Sequence, residues 1–499
     1  MFAEIFSSVF RPDVLSIILL GVVIGEVFGC VPGLNAPIAI ALALPITYAL
    51  NKTQSMALIM GLYCGCCSGG MISAILLKIP GTASSVATCF DGYPMAKSGR
   101  ATEALSIAAF SSFFGGTFSA ICLMLLAGWL ANLAIAFGPW EYFGTAFVSL
   151  SLVCFMFDKK MLKAMIACCI GLLLKFVGVS PVDGVAMRYT FNLAALENGF
   201  QLIVVIISVF AIPEMIKAMG QLNVKATALP TERKLIYVPK WKSIRRNLRT
   251  LFTCSFLGTF IGILPGMGGG AASLISYEQT KKTSKHPELF GTGTEEGIYS
   301  CESANNATTG GALIPMLALG VPGDTATAVI LGALMLQGIA TGPLLIQNEP
   351  TLFRAIIVIV FIANIMMFLV QIFTIPYMAK ITKVPKHYLF PIITMFCLAG
   401  AVSIRNNTFD LIYLIAFGII GFILTQNDYP IAPFILAFVL GETLEGNYRR
   451  AIVYYGNFSA CRQRLSIGTL FTILAIVLPI IKGTVQFIKW RKAEKKAKA

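Results

Sequence analysis

Two stretches of the chain put hydroxyl and carboxylate side chains beside Pro-Gly pairs. In "KIPGTASSVAT", Lys78 to Thr88, the pair Pro80-Gly81 is followed by Thr82, Ser84, Ser85 and Thr88. In "GVPGDTATAV", Gly320 to Val329, the pair Pro322-Gly323 is followed by Asp324, Thr325 and Thr327. Proline removes a backbone donor and glycine accepts unusual dihedrals, so each pair breaks a helix. A broken end offers free N–H groups and the positive end of a helix dipole, which suit an anionic ligand. The hydroxyls add neutral donors. Freed carbonyls and Asp324 suit a coupling cation, either sodium or a proton carried on the acid. An acid inside a membrane-spanning segment is a functional candidate by default. For each hydroxyl the competing reading is helix packing, in which small residues let backbones approach.

Other polar residues fall in the same neighbourhoods. "ESANNATTGG", Glu302 to Gly311, opens an apolar span with Glu302, Asn305, Asn306, Thr308 and Thr309. Adjacent amides at membrane depth cost free energy unless satisfied, so they meet a ligand or ion, or join an interhelical hydrogen-bond network. Asn35 follows another pair, Pro32-Gly33, and is read the same way. Glu26 stands six residues before Pro32 and is a candidate proton carrier without a counterpart in the later copy, where Thr259 takes its place. Asp91 in "CFDGYP" could form a dyad with Asp324 but reads better as a turn or cap residue.

Such residues must be positioned by apolar elements. The chain has 499 residues, 57% of them hydrophobic and 12% charged, and its mean hydropathy is +0.80. A soluble domain has about 25% charged residues, so this composition points to a membrane. Apolar runs near the length that crosses hydrocarbon recur and predict an all-α polytopic membrane protein of roughly ten to twelve spans, some of them broken. The start, "MFAEIFSSVFRPDVLSIILL", lacks a basic region and a small-residue cleavage site and reads as a retained first span. The net charge of +15 lies mainly in "VKATALPTERKLIYVPKWKSIRRNLR" (Val224–Arg249) and "KWRKAEKKAKA" (Lys489–Ala499). Both read as cytoplasmic segments beside anionic membrane lipid, not as nucleic-acid-binding patches. The thirteen cysteines lie mostly in apolar runs, as in "YCGCCSGG" (Tyr63–Gly70), and read as packing residues.

The order of motifs repeats. "GEVFGCVPG" (Gly25–Gly33) returns 233 residues later as "GTFIGILPG" (Gly258–Gly266). "SGGMISAILLKIPGTASSVAT" (Ser68–Thr88) aligns with "TGGALIPMLALGVPGDTATAV" (Thr309–Val329), the offset growing from 241 at Gly-Gly to 242 at Pro-Gly. Gly/Pro-interrupted apolar segments at matching places in two halves point to the binding site of a secondary transporter. Backbone left unpaired at membrane depth must be buried in protein or line a wet cavity. The expected organisation is a first transmembrane repeat over 1–219 and a basic cytoplasmic linker over 220–250. A second repeat over 251–388, further spans over 389–488 and a basic cytoplasmic tail over 489–499 follow. An enzyme is not expected: there is no metal-ligand cluster and no Walker-type loop. The amide-and-hydroxyl set suits a bound organic anion better than a channel filter.

Four motifs also carry a resemblance. "PGLNAPIAIALALP" (Pro32–Pro45), "DGYPMAKSGRATEALSIAAFSSFFG" (Asp91–Gly115), "GVPGDTATAVILGAL" (Gly320–Leu334) and "YPIAPFILAFVLGETLEGNYRRAI" (Tyr429–Ile452) resemble the large, TctA-like membrane subunit of the tripartite tricarboxylate transporters. The resemblance implies a bacterial inner-membrane subunit that imports a carboxylate, citrate or another organic acid, by ion-driven symport. It also implies two partners, a small four-span membrane subunit and a periplasmic solute-binding protein. It implies no cofactor beyond the coupling cation. The chain departs from the family pattern at Thr82, at Asn35 and in "LGETLEGNYRR" (Leu440–Arg450), where the Arg449-Arg450 pair recurs without a role.

The site expected from these residues joins both breaks. Substrate contacts are Gly33, Asn35, Gly81, Thr82, Ser84, Ser85, Asn305, Asn306, Gly323, Thr325 and Thr327. The coupling ion falls to Asp324 and to the backbone at Pro32 and Pro265. No metal centre and no catalytic residue are expected. The alternative is a stand-alone permease or channel working without a binding protein.

Overall fold

In a computed structural model of the chain, the described residues are 7–157, 160–180, 187–219, 238–381, 391, 394–395, 397–399, 401–402, 407–458, 461 and 466–498. Of the expected linker, residues 220–237 lie outside them. The chain is an all-α polytopic membrane protein. Five helical stretches among the described residues are long and apolar enough to cross a membrane: Pro12–Cys30, Lys52–Leu77, Thr88–Ile135, Pro350–Thr374 and Phe409–Gln426.

The chain forms two compact units, one from residues 1–132 and 203–422, the other from 133–202 and 423–499. The first unit opens with α1 (Pro12–Cys30), α2 (Ala36–Thr47) and α3 (Lys52–Leu77). A 3₁₀ turn (Ala83–Ser85), α4 (Thr88–Met95) and α5 (Ala101–Ile135) follow, and α4 runs into α5 through a π-turn at Ala96–Arg100. Asn51 starts α3 with a reciprocal cap: its side chain accepts from Gln54 N–H (2.9 Å), and its own N–H donates to Gln54 Oε1 (3.2 Å).

The second unit contains α6 (Pro139–Met156), α7 (Met161–Lys175), a two-residue antiparallel pairing of β1 (Gly178–Val179) with β2 (Met187–Arg188), and α8 (Ala194–Glu197). The chain re-enters the first unit with α9 (Leu202–Met219), α10 (Trp241–Ile263), α11 (Gly268–Thr283), α12 (Glu295–Leu319), α13 (Thr325–Leu336), α14 (Pro343–Asn348) and α15 (Pro350–Ile381). α16 (Phe409–Gln426) leads back to α17 (Ile431–Tyr455) and α18 (Ile467–Lys498) of the second unit. There Gly171 of α7 packs on the Phe434 carbonyl of α17, and Gly144 of α6 on the Gly468 carbonyl of α18.

Glycines, not large apolar side chains, set the tightest contacts of the first unit. Gly21, Gly25 and Gly29 of α1 face Gly61, Gly65 and Gly69 of α3; a methyl on Gly25 would stand 2.5 Å from the Leu62 carbonyl oxygen, and one on Gly65 2.3 Å from that of Val22. The same arrangement returns between α10 and α12, where a methyl on Gly258 would stand 2.3 Å from the Ala304 carbonyl. Lipid is as apolar as leucine, so close backbone approach replaces the hydrophobic drive that joins helices in water. Of the five apolar stretches α3 is the most enclosed: 94% of its apolar window is buried, against 44% for α1 and 33% for Thr88–Ile135. The α4–α5 rod instead turns Met124, Leu125 and Trp129 outward.

Candidate functional site

Both helix breaks form, and they form alike. α3 stops at Lys78 and α12 at Gly320, each in the left-handed region (φ 58 and 73). These positions correspond in the repeat. Two residues on, each Pro-Gly pair leads into a reciprocal cap. In the first half, Thr82 N–H donates to Ser85 Oγ (3.3 Å) and the Ser85 hydroxyl donates to the Thr82 carbonyl (2.9 Å). In the second, Asp324 Oδ1 accepts from Thr327 N–H (2.7 Å), while Asp324 N–H donates to Thr327 Oγ1 (2.9 Å). A hydroxyl or carboxylate three residues from its partner satisfies N–H groups that the start of a new turn or helix leaves without a partner.

The breaks are seated by the joints two helices upstream. A methyl on Gly81 would stand 2.1 Å from the Gly29 carbonyl, and one on Gly323 2.5 Å from that of Gly262. Gly29 and Gly262 are themselves repeat equivalents, one turn before Pro32 and Pro265. In the second half a hydrogen bond pins the two together, Gly266 N–H to the Gly323 carbonyl at 2.7 Å. Gly33 and Gly266 both adopt positive φ (97 and 81), which lets the chain reverse and start α2 and α11.

Each half then supplies part of the other's surroundings. The 3₁₀ turn of the first half packs against α11, and α13 packs against α2. Gly269, at the start of α11, has Asn305 Oδ1, Ser84 Cβ and Thr308 Oγ1 around the place a methyl would occupy, at 2.5, 2.9 and 3.3 Å. Gly268 beside it faces Asp324 Cβ at 3.7 Å. The glycines that open α11 therefore bridge the two breaks. Tyr63 of α3 reaches across to donate to Asp324 Oδ2 (2.9 Å), and Asn305 of α12 donates to the Cys67 carbonyl of α3 (3.2 Å). Asn305 Oδ1 is buried without a hydrogen-bond partner. Asn35, Thr82, Ser84, Asp324, Thr325 and residues 265–270 are half-buried, although the helices behind them are closed.

The expected residues separate into a group that meets here and a group that does not. Gly81, Thr82, Ser84, Ser85, Gly323, Asp324, Thr325, Thr327, Asn305 and Pro265 stand at the two breaks or on the joint and helices that seat them. Asn306 turns the other way: it joins Glu302, donating to the Ser112 hydroxyl (2.8 Å) and to Glu302 Oε2 (3.4 Å). Thr88 donates to the other Glu302 oxygen, and Ser112 to Oε2 at 3.2 Å, so this buried network ties α4, α5 and α12 together. Asn35 caps its own helix, its Oδ1 accepting from Ile38 N–H at 3.1 Å. Pro32 and Gly33 form the α1–α2 joint, where Gly33 faces Glu214 Oε2 of α9.

Asp91 is a cap, though not of its own helix. Its Oδ1 accepts from the N–H groups of Gly291 (2.9 Å), Gly293 (2.8 Å) and Thr294 (3.0 Å), holding the entry to α12. Tyr277 donates to its Oδ2 at 2.7 Å. Arg449 pairs with Glu445 (2.9 Å), which also pairs with Arg188, inside the second unit. Tyr63, Gly268 and Gly269 also stand at the two breaks, although the sequence reading does not mark them. The signal for Tyr63 was a phenol inside an apolar helix; the two glycines stood only two and three residues after a Pro-Gly pair that was recognised.

A family model for the tripartite tricarboxylate transporter TctA family matches residues 15–436. The chain belongs to that family. An uncharacterized 52.8 kDa protein of the TAR-I ttuC' 3' region of Agrobacterium vitis is 37% identical over 434 residues, covering 87% of this chain and 86% of that protein. An uncharacterized protein of the TAR-II ttuC' 3' region of the same organism is 41% identical over 233 residues, 45% of this chain and 96% of its own length. No solved structure matches. The match to the family spans both breaks, so the geometry above is that of a transporter subunit.

Proposed function

We propose that the chain is the membrane subunit of an ion-driven carboxylate importer in a bacterial inner membrane. It takes an organic acid from a periplasmic binding protein and works beside a small four-span subunit. The observation that carries this reading is the meeting of the two capped breaks at Gly268 and Gly269. The start of α11 lies beside Ser84 of the Thr82–Ser85 turn and beside Asp324 at the start of α13, so two helix N-termini and the half-buried hydroxyls of Thr82, Ser84 and Thr325 gather in one neighbourhood, the chemistry that binds a carboxylate. Asn305 Oδ1, Asp324 and the carbonyls freed near Pro265 supply acceptors for the cation. A cation beside the substrate lowers the cost of holding an anion away from water, so each ligand favours the other.

In this reading the repeats over 1–219 and 251–388 are inverted, and alternating access moves one against the other around the site. The experiment is uptake of labelled citrate and a panel of other carboxylates into membrane vesicles. The neighbouring binding protein is added or omitted, and sodium and proton gradients are imposed in turn. Uptake that needs the binding protein and one gradient is expected. Uptake that proceeds without the binding protein overturns the tripartite reading in favour of a stand-alone permease.

A further inference from the structure

The proposed pocket leaves one buried acid unused. Glu26 lies in α1, close before the Pro32-Gly33 joint, fully buried, and neither carboxyl oxygen has a hydrogen-bond partner. The glycine contacts explain its isolation. A methyl on Gly69 would stand 2.5 Å from the Glu26 carbonyl oxygen, and one on Gly65 3.1 Å from its nitrogen, so α1 and α3 touch backbone to backbone around it.

The elements packed on α1 offer little to compensate a charge. α3 carries Lys52 at its start, Tyr63, which is engaged with Asp324, and the thiols of Cys64, Cys66 and Cys67. α15 carries Arg354 in its second turn and Tyr377 near its far end, and α2 carries no titratable group. On α5, whose apolar residues share a cluster with Val23, Val27 and Cys30, Glu103 pairs with Arg100 and Cys122 is a thiol. On α1 itself, Asp13 pairs with Arg11, and Cys30 is the neighbouring thiol. Among the described residues none forms an ion pair or hydrogen bond with the Glu26 carboxyl. An ionised carboxylate so placed is strongly disfavoured against the neutral acid.

The second half shows that packing does not call for such a group. At the equivalent place Thr259 satisfies its hydroxyl on the Ser255 carbonyl at 2.9 Å. A satisfied hydroxyl completes that helix pair, whereas the first half keeps a carboxyl with nothing to bond.

We infer that Glu26 holds a proton occluded in this state, and that it is a proton-binding site of the transport cycle separate from the cation pocket at Asp324. The inference rests on the importer reading for its role in the cycle, but not for the proton itself. Binding and release move only the proton, between the Glu26 carboxyl and water admitted in another state of the cycle.

The test has two arms. The first needs no substrate: infrared difference spectra of purified wild type and Glu26→Gln in lipid nanodiscs at neutral pH. A protonated-carboxyl band present in the wild type and lost in the variant is expected; a carboxylate band in its place overturns the inference. Should the Gln variant fail to reach the membrane, Glu26→Leu, which keeps an apolar side chain of similar size, provides the same subtraction. The second arm uses proteoliposomes and whichever acid of the panel the wild type accumulates. Glu26→Gln is expected to keep counterflow exchange of labelled for unlabelled acid and to lose accumulation driven by a pH gradient. Unchanged accumulation overturns the role in the cycle, and so does loss of exchange together with accumulation in a folded variant. If the wild type moves none of the acids, the importer reading fails, and the infrared band still decides the proton.

Discussion

At the scale of single residues the second break is held by Asp324. One of its oxygens caps α13 and the other receives the Tyr63 hydroxyl from the opposite half. Asparagine caps helices about as well as aspartate, so Asp324→Asn should leave the protein in the membrane at wild-type abundance. It removes the charge, and uptake should fall tenfold or more, or lose its ion dependence; normal, ion-dependent uptake by this variant would take Asp324 out of the mechanism. Tyr63→Phe deletes a single hydrogen bond to the Asp324 carboxyl, and a hydrogen bond of this kind contributes about 1 kcal/mol or more. Uptake is expected to drop by roughly an order of magnitude, again without loss of protein, as measured in the same vesicles. Glu302 belongs to a different network, and its loss should be read as stability. Glu302→Ala leaves Thr88, Ser112 and Asn306 without their common acceptor, at a cost of about 2 kcal/mol or more. A lowered thermal midpoint in detergent is the expected result, and an unchanged one shows that the network contributes nothing.

Between elements, the repeat makes a comparison available that a single break would not. Gly81 and Gly323 meet the carbonyls of Gly29 and Gly262, which are equivalent positions. A methyl at either meets backbone first, with the Ser73 hydroxyl also in the way at Gly81 and Ala312 Cβ at Gly323, and overpacking of this kind costs about 1–3 kcal/mol. Gly81→Ala and Gly323→Ala should therefore impair uptake to a similar degree. Tolerance of one with failure of the other would show that the two breaks are alike in shape and unequal in work. Gly128, in α5, has open space where its methyl would go, so Gly128→Ala is the control and should behave as wild type.

For the whole molecule the question is orientation. The basic segment before α10 is expected in the cytoplasm by the positive-inside rule. If the repeats are inverted, α1 then starts at the periplasmic face. A reporter fused at Met1 should read periplasmic, and a cytoplasmic signal would sink the inverted arrangement. The second unit makes its own framework: the Trp140 indole donates to Thr469 Oγ1 at 3.1 Å, and Ser151 to the Ala475 carbonyl at 2.6 Å. Its Arg188–Glu445–Arg449 group gives Arg449 a structural partner within that unit.

The sequence by itself determined the class of the protein and marked the Pro-Gly elements at which α1, α3, α10 and α12 give way. These follow from local chemistry: apolar length sets a span, proline deletes a donor, and the glycine beside it lets the chain turn at Gly33 and Gly266 or lets backbones touch at Gly81 and Gly323. It also marked Asp324, Thr82 and Asn305, because polar groups at membrane depth are costly enough to stand out. Tertiary structure decided partnership. Asn305 and Asn306 are neighbours in sequence, yet helical rotation sends one to the breaks and the other to Glu302. Tyr63 meets Asp324, and Asp91 caps the entry to α12, across separations of 261 and about 200 residues. Residues 133–202 group with 423–499 on no local signal at all. Which side chains meet depends on how helices rotate and how closely glycines let them approach, and that is a property of pairs of helices rather than of any one segment.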